Sequence, residues 1–425
     1  MWGAEDSLES GSSEKRLVVF DVEGVLLPKN RYLVLEVGRR LGSIRFVKLL
    51  FFGFLYELRL LSLESALKRI FRLLQGTSVE ELLTAFRNVP LLPHTEQVFA
   101  RIRNKGLKVA LVSSGLPQIV VEDLASRLAA DYAYGPEVEM DNGLLTGAIG
   151  GEIITKNGKA LIVNKILTLE GLTKRNCIVV ADDRNNAPIF YPESLKIGYN
   201  PDLVIVWKSD YAVKRSLLDV ESIIEGMRRQ RRSISGNEVV RETIHACGLL
   251  AALAAMHFGV YPIALFLFLT MLVYIASELV RMEGMAVPLL SSITLNATTD
   301  SERYEFATTP VLLALGVILS LLLFPAPMNY TAVAIVCLGD SAASIFGKLF
   351  GRTRIPFNKM KNLEGSVAGL FFAFLGASVF LAPLQALVGA IAGMIVESLP
   401  LPVNDNLSTP LVTGALLTLF FVVPS

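Results

Sequence analysis

Cysteine is scarce. Cys177, Cys247 and Cys337 are the only three in 425 residues, and they lie far apart. They form no CxxC pair and no disulfide framework. An excess of one charge is missing too. Forty Lys and Arg face 39 Asp and Glu, for a net charge of +1. That balance gives no whole-chain signal for nucleic acid. The N-terminal stretch "GAEDSLESGSSEK" is polar and acidic, so no cleavable signal peptide is expected, and residues 1–15 read as a flexible tail. No GxxxxGK[ST] loop occurs, which excludes a standard nucleotide triphosphatase domain.

Apolar residues are plentiful: 52% of the chain, with a mean hydropathy of +0.51. They are unevenly spread. Charged residues are common up to about residue 243, and long Leu, Ala, Ile, Val and Phe runs follow. The join, "GMRRQRRSISGNEVVRE", is basic and polar, which suits a linker (221–240) on an anionic membrane face. Hydropathy predicts seven spans, at 244–259, 261–280, 308–323, 329–346, 364–382, 384–400 and 408–423. A buried soluble core does not explain seven such segments in so short a stretch. With the linker inside the cell, Arg281, Arg303, Lys348, Arg352, Arg354, Lys359 and Lys361 all fall at the inner face. The expectation is therefore a multi-pass integral membrane protein whose N-terminal domain is cytoplasmic.

The N-terminal part (16–220) reads as α/β. "LVVFDVE" (17–23), "KVALVSSG" (108–115), "NCIVVADDRNNAP" (176–188) and "LKIGYNP" (195–201) are buried strands ending in polar residues, separated by amphipathic helices. Parallel sheets place ligands at strand C-termini. Two strand-end aspartates beside a serine and a lysine suit phosphate and Mg²⁺. A lone strand-end Asp is often a helix cap, but Asp21 and Asp182, with Ser113 and a lysine between, favour a site. Asp183 reads as structural and His94 as an exposed loop residue.

These motifs resemble the haloacid-dehalogenase-like phosphatases, most closely the phosphoserine-phosphatase branch. The resemblance implies a Rossmann-like domain with a helical cap, here about residues 30–92. It implies Asp21 as nucleophile, Glu23 as general acid and base where the family usually has Asp, and Ser113 and Lys165 as phosphate-holding groups. It also implies Mg²⁺ on Asp21 and Asp182. Asn186 replaces the usual second aspartate of the last motif. The cap segment "SIRFVKLLFFGFLYELRLLSLESALKRIFRLL" (43–74) is rich in Phe and Leu with interspersed basic residues. It is either the inside of a cap bundle or an interfacial helix touching lipid.

In the apolar half (241–425), Asp340 sits at the edge of a span in "CLGDSAASIFGKLFG". A carboxylate there is expensive and signals function or a partner. Arg241, His245, Glu278, Arg281, Lys361, Glu364, Glu397, Asp405 and Asn406 reach the same expected face. Carboxylates for Mg²⁺ and cations for a polyphosphate would then meet at one depth.

This pattern resembles the dolichol kinase, phytol kinase and yeast-type diacylglycerol kinase family. The matching residues are Arg241/His245, Glu278/Arg281, Gly339-Asp340-x-x-Ala343-x-x-x-Gly347-x-x-x-Gly351, Lys361-x-x-Glu364-Gly365-Ser366, and Glu397 with Asp405/Asn406. The resemblance implies a polytopic all-α domain that phosphorylates a lipid alcohol (dolichol or another polyprenol, phytol, geranylgeraniol or diacylglycerol) with CTP, or ATP. It implies Asp340 and Asp405 as metal or nucleotide contacts. Arg241, Arg281 and Lys361 would clamp phosphate, Glu364 and Asn406 would contact the nucleotide, and His245 would orient or deprotonate the alcohol. Phosphatidate cytidylyltransferases share part of the pattern. A transporter or a membrane-anchored phosphatase is the alternative of another class.

Overall fold

The computed structural model describes residues 15–29, 43–214, 216–226, 236–285, 287–288, 290–298, 302–401 and 403–421. Most of the expected N-terminal tail, residues 30–42 of the expected cap and 227–235 of the basic linker lie outside the described residues. Two units result: residues 1–210 with 217–225, and residues 211–216 with 226–425.

In the first unit, β1 (Leu17–Phe20) is fully buried. It pairs in parallel with β2 (Lys108–Val112) on one side and β6 (Cys177–Ala181) on the other. β2 also pairs with β3 (Tyr132–Tyr134), and β6 with β7 (Leu195–Tyr199). Helices on both faces bury a continuous apolar sheet, which is why these strands read as unbroken Val/Ile/Leu runs. Phe20 is level with Leu111 and Val180, so the chain leaves β1, β2 and β6 at one edge. Asp21, Ser113 and Asp182 follow there on three adjacent strands. An antiparallel hairpin, β4 (Glu137–Asp141) with β5 (Leu144–Gly150), adds a second small sheet.

Between β1 and β2 come α1 (Ser43–Glu57), α2 (Leu63–Leu73), α3 (Val79–Arg87) and α4 (Thr95–Asn104). Ser62 caps α2, and Ser78 with Glu81 forms a capping box on α3. The first three helices occupy the described part of the segment expected to be the cap. Then follow α5 (Gln118–Leu128) after β2 and α6 (Gly158–Leu169) before β6.

The second unit is helical, with one short hairpin (Arg354–Ile355 with Asn358–Asn362). Its helices are α7 (Gly236–Cys247), α8 (Leu249–Phe258), α9 (Val260–Met282), α10 (Leu290–Ala297), α11 (Thr309–Leu323), α12 (Met328–Phe350), α13 (Leu363–Ala377), α14 (Pro383–Ser398) and α15 (Asp405–Phe421). A helix lies at each of the seven expected spans. Among the described residues only three stretches are long and apolar enough to cross a bilayer: Gly236–Phe258, Val260–Met282 and Met328–Phe350. α11, α13, α14 and α15 have 15 to 17 residues, below the ~20 of an untilted crossing.

α12 and α13 pack backbone to backbone. A Cβ on Gly365 would stand 2.6 Å from the Ala343 carbonyl, and one on Gly369 2.8 Å from the Gly339 carbonyl. The four-residue spacing of Gly339, Ala343 and Gly347 thus forms a helix–helix seam of small residues. Asp340 adjoins that seam. α12 runs on ten residues past Asp340, so Asp340 lies within a helix and not at its edge.

Candidate functional sites

At the sheet edge, Asp21 is buried and takes three contacts. Lys159 Nζ lies 2.9 Å from its Oδ1. The Val22 amide donates to the same oxygen at 2.8 Å, and Asn186 Nδ2 donates to Oδ2. Lys159 also donates to Asn186 Oδ1 at 2.7 Å. Asp182 receives Lys29 Nζ at 2.8 Å on Oδ2, while its Oδ1 is buried with no hydrogen-bond partner. Asp183 caps the turn that follows, accepting from the Asn185 amide at 3.0 Å. Gly24 has a left-handed φ of +79°, and a Cβ there would overlap Asp182 Oδ2; only glycine lets the loop after β1 close on β6.

Carboxylate oxygens of Asp21, Asp182 and Asp183 fall within 4.8 Å of one another. With Glu23 they make four acids against Lys29 and Lys159, two charges short of balance. Burial, with Asp21 next, pushes Glu23 up to about 8. Burial and the neighbouring Asp183 and Asp21 push Asp182 up to about 8 against the pull of Lys29. A divalent cation offsets that deficit, and Asp182 Oδ1 is an open oxygen donor for it; the residues present fit Mg²⁺. Ser113 is fully buried, and its Oγ accepts from the Leu116 amide at 2.9 Å.

Lys165 is a correction. It is exposed and paired with Glu152 at 2.5 Å, away from Asp21. α6 buries Lys159, Ile162, Val163 and Ile166 on one stripe, and Lys165 falls off that stripe. Lys159 holds the position expected of it. Asp183, read as structural, both caps its turn and joins the carboxylate group. Asn186, where an aspartate is usual, bridges Asp21 and Lys159 through one amide, donating with its NH₂ and accepting with its oxygen.

In the second unit, carboxylate oxygens of Asp340 (α12), Glu397 (the end of α14) and Asp405 (the start of α15) also lie within 4.8 Å of one another. Lys361 stands among them: 3.0 Å from Asp405 Oδ2, 3.8 Å from Asp340 Oδ1, and hydrogen-bonded to Glu397. Three acids and one lysine leave a deficit of two charges here as well, and an oxygen-rich donor set of this kind suits Mg²⁺. His245 Nδ1 is 3.4 Å from Asp340 Oδ2, and its Nε2 is buried without a hydrogen-bond partner. Asn406 is buried beside Asp405, its Oδ1 likewise unpartnered.

Two expected contacts, Arg281 and Glu364, are engaged elsewhere, while Arg241 pairs with its neighbour Glu242 and feels the charge of Asp340. Arg281 bonds Glu278 at 2.9 and 2.8 Å and the carbonyls of Arg303 and Glu305 at 2.8 and 2.5 Å. Its donors tie a loop to a helix, so it is a strut and not a free phosphate clamp. Glu364 accepts from the Thr353 amide at 3.0 Å and its hydroxyl at 2.9 Å at the start of α13, which makes it a loop fastener. Arg241 bonds Glu242 at 2.6 and 3.2 Å. Glu397, matched to the family pattern from sequence but given no role there, belongs to the cluster.

A family model described as haloacid dehalogenase-like hydrolase matches residues 18–186. A phosphoserine phosphatase of Archaeoglobus fulgidus is 31% identical over 214 residues, covering 50% of this chain and 60% of that protein. One from Methanocaldococcus jannaschii is 27% identical over 213 residues, 50% of this chain and 99% of that protein. A probable chloroplastic phytol kinase of Glycine max is 33% identical over 140 residues, 28% of this chain and 46% of that protein. The chain therefore spans under two thirds of the first and third of these relatives. The N-terminal unit is a haloacid dehalogenase-like, phosphoserine-phosphatase-like domain, and it is fused to a C-terminal region similar to phytol kinases.

Proposed function

We propose that the C-terminal unit phosphorylates a lipid alcohol with a nucleoside triphosphate, CTP or ATP, at the Asp340–Glu397–Asp405 cluster. The observation that carries this reading is Lys361 held among three convergent carboxylates, with His245 beside Asp340. Mg²⁺ held by these acids would supply charge neutralisation for the polyphosphate. Lys361 can turn from its carboxylates to the transferring phosphoryl group, since one flexible stem carries its charge. Asp340 against Nδ1 orients the His245 ring and leaves Nε2 to take the proton of the alcohol. The alcohol oxygen bonds to the terminal phosphorus, the bond from that phosphorus to the bridging oxygen breaks, and the nucleoside diphosphate leaves. Positioning and charge compensation are most of what such a transfer requires. γ-labelled CTP and ATP, offered with polyprenols, phytol, geranylgeraniol and diacylglycerol in detergent, provide the test. Labelled lipid from wild type but not from Asp340→Asn supports the reading; no labelled lipid from any pairing sinks it.

For the N-terminal unit we propose a Mg²⁺-dependent phosphomonoesterase. A carboxylate oxygen of Asp21 attacks phosphorus and the ester oxygen departs with the Glu23 proton. Water then hydrolyses the aspartyl phosphate, returning a proton to Glu23. Lys159 and Ser113 hold phosphoryl oxygens, and Asp21 and Asp182 would hold the metal. Burial and the neighbouring Asp21 push Glu23 up to about 8, the direction that suits a general acid. The multi-pass arrangement with a cytoplasmic N-terminal unit is proposed from the positive-inside charge pattern; single-cysteine labelling at residues 303 and 359 tests it.

A further inference from the structure

α1 is amphipathic the wrong way round for a soluble cap. Ile44, Val47, Phe51, Phe54 and Leu58 recur at intervals of three and four residues, one stripe along the helix. All five are between 52 and 75% exposed, whereas Leu49, off the stripe, is buried. Arg45 and Lys48 are exposed on the same helix. At its far end, the Tyr56 hydroxyl donates to Asn185 Oδ1 at 2.6 Å, and Arg184 Nη2 donates to the Tyr56 carbonyl at 3.3 Å. Asn185 lies two residues past Asp183 and donates to its carboxylate at 3.0 and 2.8 Å, so the end of the apolar stripe is latched to the rim of the phosphate pocket.

We propose that this stripe rests in the headgroup–acyl boundary of the bilayer, and that the pocket beside it takes the phosphomonoester of a lipid alcohol. The substrate class rests on the phosphatase reading above; the docking does not. Two features of the chain favour lipid over a protein partner. The same polypeptide carries helices long and apolar enough to cross a membrane, so a bilayer is always within tether reach and at high effective concentration. Phe, Leu, Val and Ile flanked by Arg and Lys is the composition of interfacial helices that lie on anionic membranes. A phosphorylated lipid would keep its chain in the membrane and present only its head to Asp21.

The test uses the full chain in phosphatidylcholine–phosphatidylglycerol vesicles. Nitroxide labels are placed singly at 44, 47, 48, 51, 52 and 54, with 142 at the β4–β5 tip as the aqueous control. Docking predicts high collision with oxygen and low collision with a nickel chelate at 44, 47, 51 and 54, and the reverse at 142. Nickel accessibility at 47 and 51 equal to that at 142 overturns it. So does protection from both reagents, which marks burial against protein, either a second copy or the chain itself. A Val47→Asp/Phe51→Asp variant supplies the second reading. Its turnover of a vesicle-borne lipid monophosphate should fall at least tenfold, with turnover of a soluble aryl phosphate within twofold of wild type. Equal loss on both substrates, or on neither, overturns the lipid substrate. No turnover of either substrate by wild type removes the phosphatase reading and the lipid substrate together, while the label pattern still decides the docking.

Discussion

Lys159 Nζ and Asp21 Oδ1 lie 2.9 Å apart, both side chains buried, and Asn186 bonds to each of them. Two residues from two other segments thus fix the carboxylate that would attack phosphorus. Lys159→Met should lower phosphomonoester kcat/KM on the order of 10²–10³-fold, as loss of one charge-stabilising donor does. Lys165→Met should stay within about twofold. Steady-state kinetics on the two variants separate them, and an equal loss in both would assign the role wrongly.

The four-acid, two-lysine pocket predicts stabilisation by Mg²⁺. A ligand at a hundred times its Kd adds about 2.7 kcal/mol to the state that binds it. Amide exchange in residues 17–29 and 177–189 should slow on adding Mg²⁺ to the full chain. Asp182→Asn should abolish that protection while leaving exchange in the second unit unchanged. Protection that survives in Asp182→Asn would place the metal elsewhere.

Glu23 reaches across to Gly115, where a Cβ would overlap its Oε2. Gly115→Ala should therefore displace the proposed general acid and cut turnover, on the order of 10²-fold for a lost acid–base group. Adding Glu23→Asp, one methylene shorter, should recover part of it. A double variant no better than Gly115→Ala alone would show that the two sites do not share this space.

Much of the first unit was legible, because parallel strands buried on both faces announce themselves as apolar runs ending in Asp or Ser. The lysine was not, because four lysines, Lys156, Lys159, Lys165 and Lys174, precede β6 and local motif spacing does not choose among them. Helical periodicity does: Lys159 shares the stripe of Ile162, Val163 and Ile166, a signal present in the sequence but not used. Arg281 and Glu364 show the opposite limit. Their charges are plain in the sequence, but their partners include backbone groups of loops, which hydropathy cannot see. Asp340 was located by its cost, yet its helix runs on through residues whose small size, not their hydropathy, lets α13 approach.

That approach carries its own prediction. Gly369→Val would drive a branched side chain into the Gly339 carbonyl, with no room for a Cβ. Overpacking of this kind costs about 1–3 kcal/mol and shifts Asp340 relative to Lys361. The variant should unfold at lower temperature in detergent and lose lipid phosphorylation. Wild-type stability with full activity would mean that the seam does not position the carboxylate.

The central claim is phosphoryl transfer to a lipid alcohol at Lys361 and its three acids. It is tested most directly by CTP labelled in both the γ-phosphate and the cytosine ring, supplied to the full chain with a lipid alcohol and Mg²⁺. The account predicts a lipid product carrying the phosphate label alone, lost in Asp340→Asn and in Lys361→Met. A lipid product carrying the ring label, formed with release of pyrophosphate, would contradict it and make the unit a cytidylyltransferase.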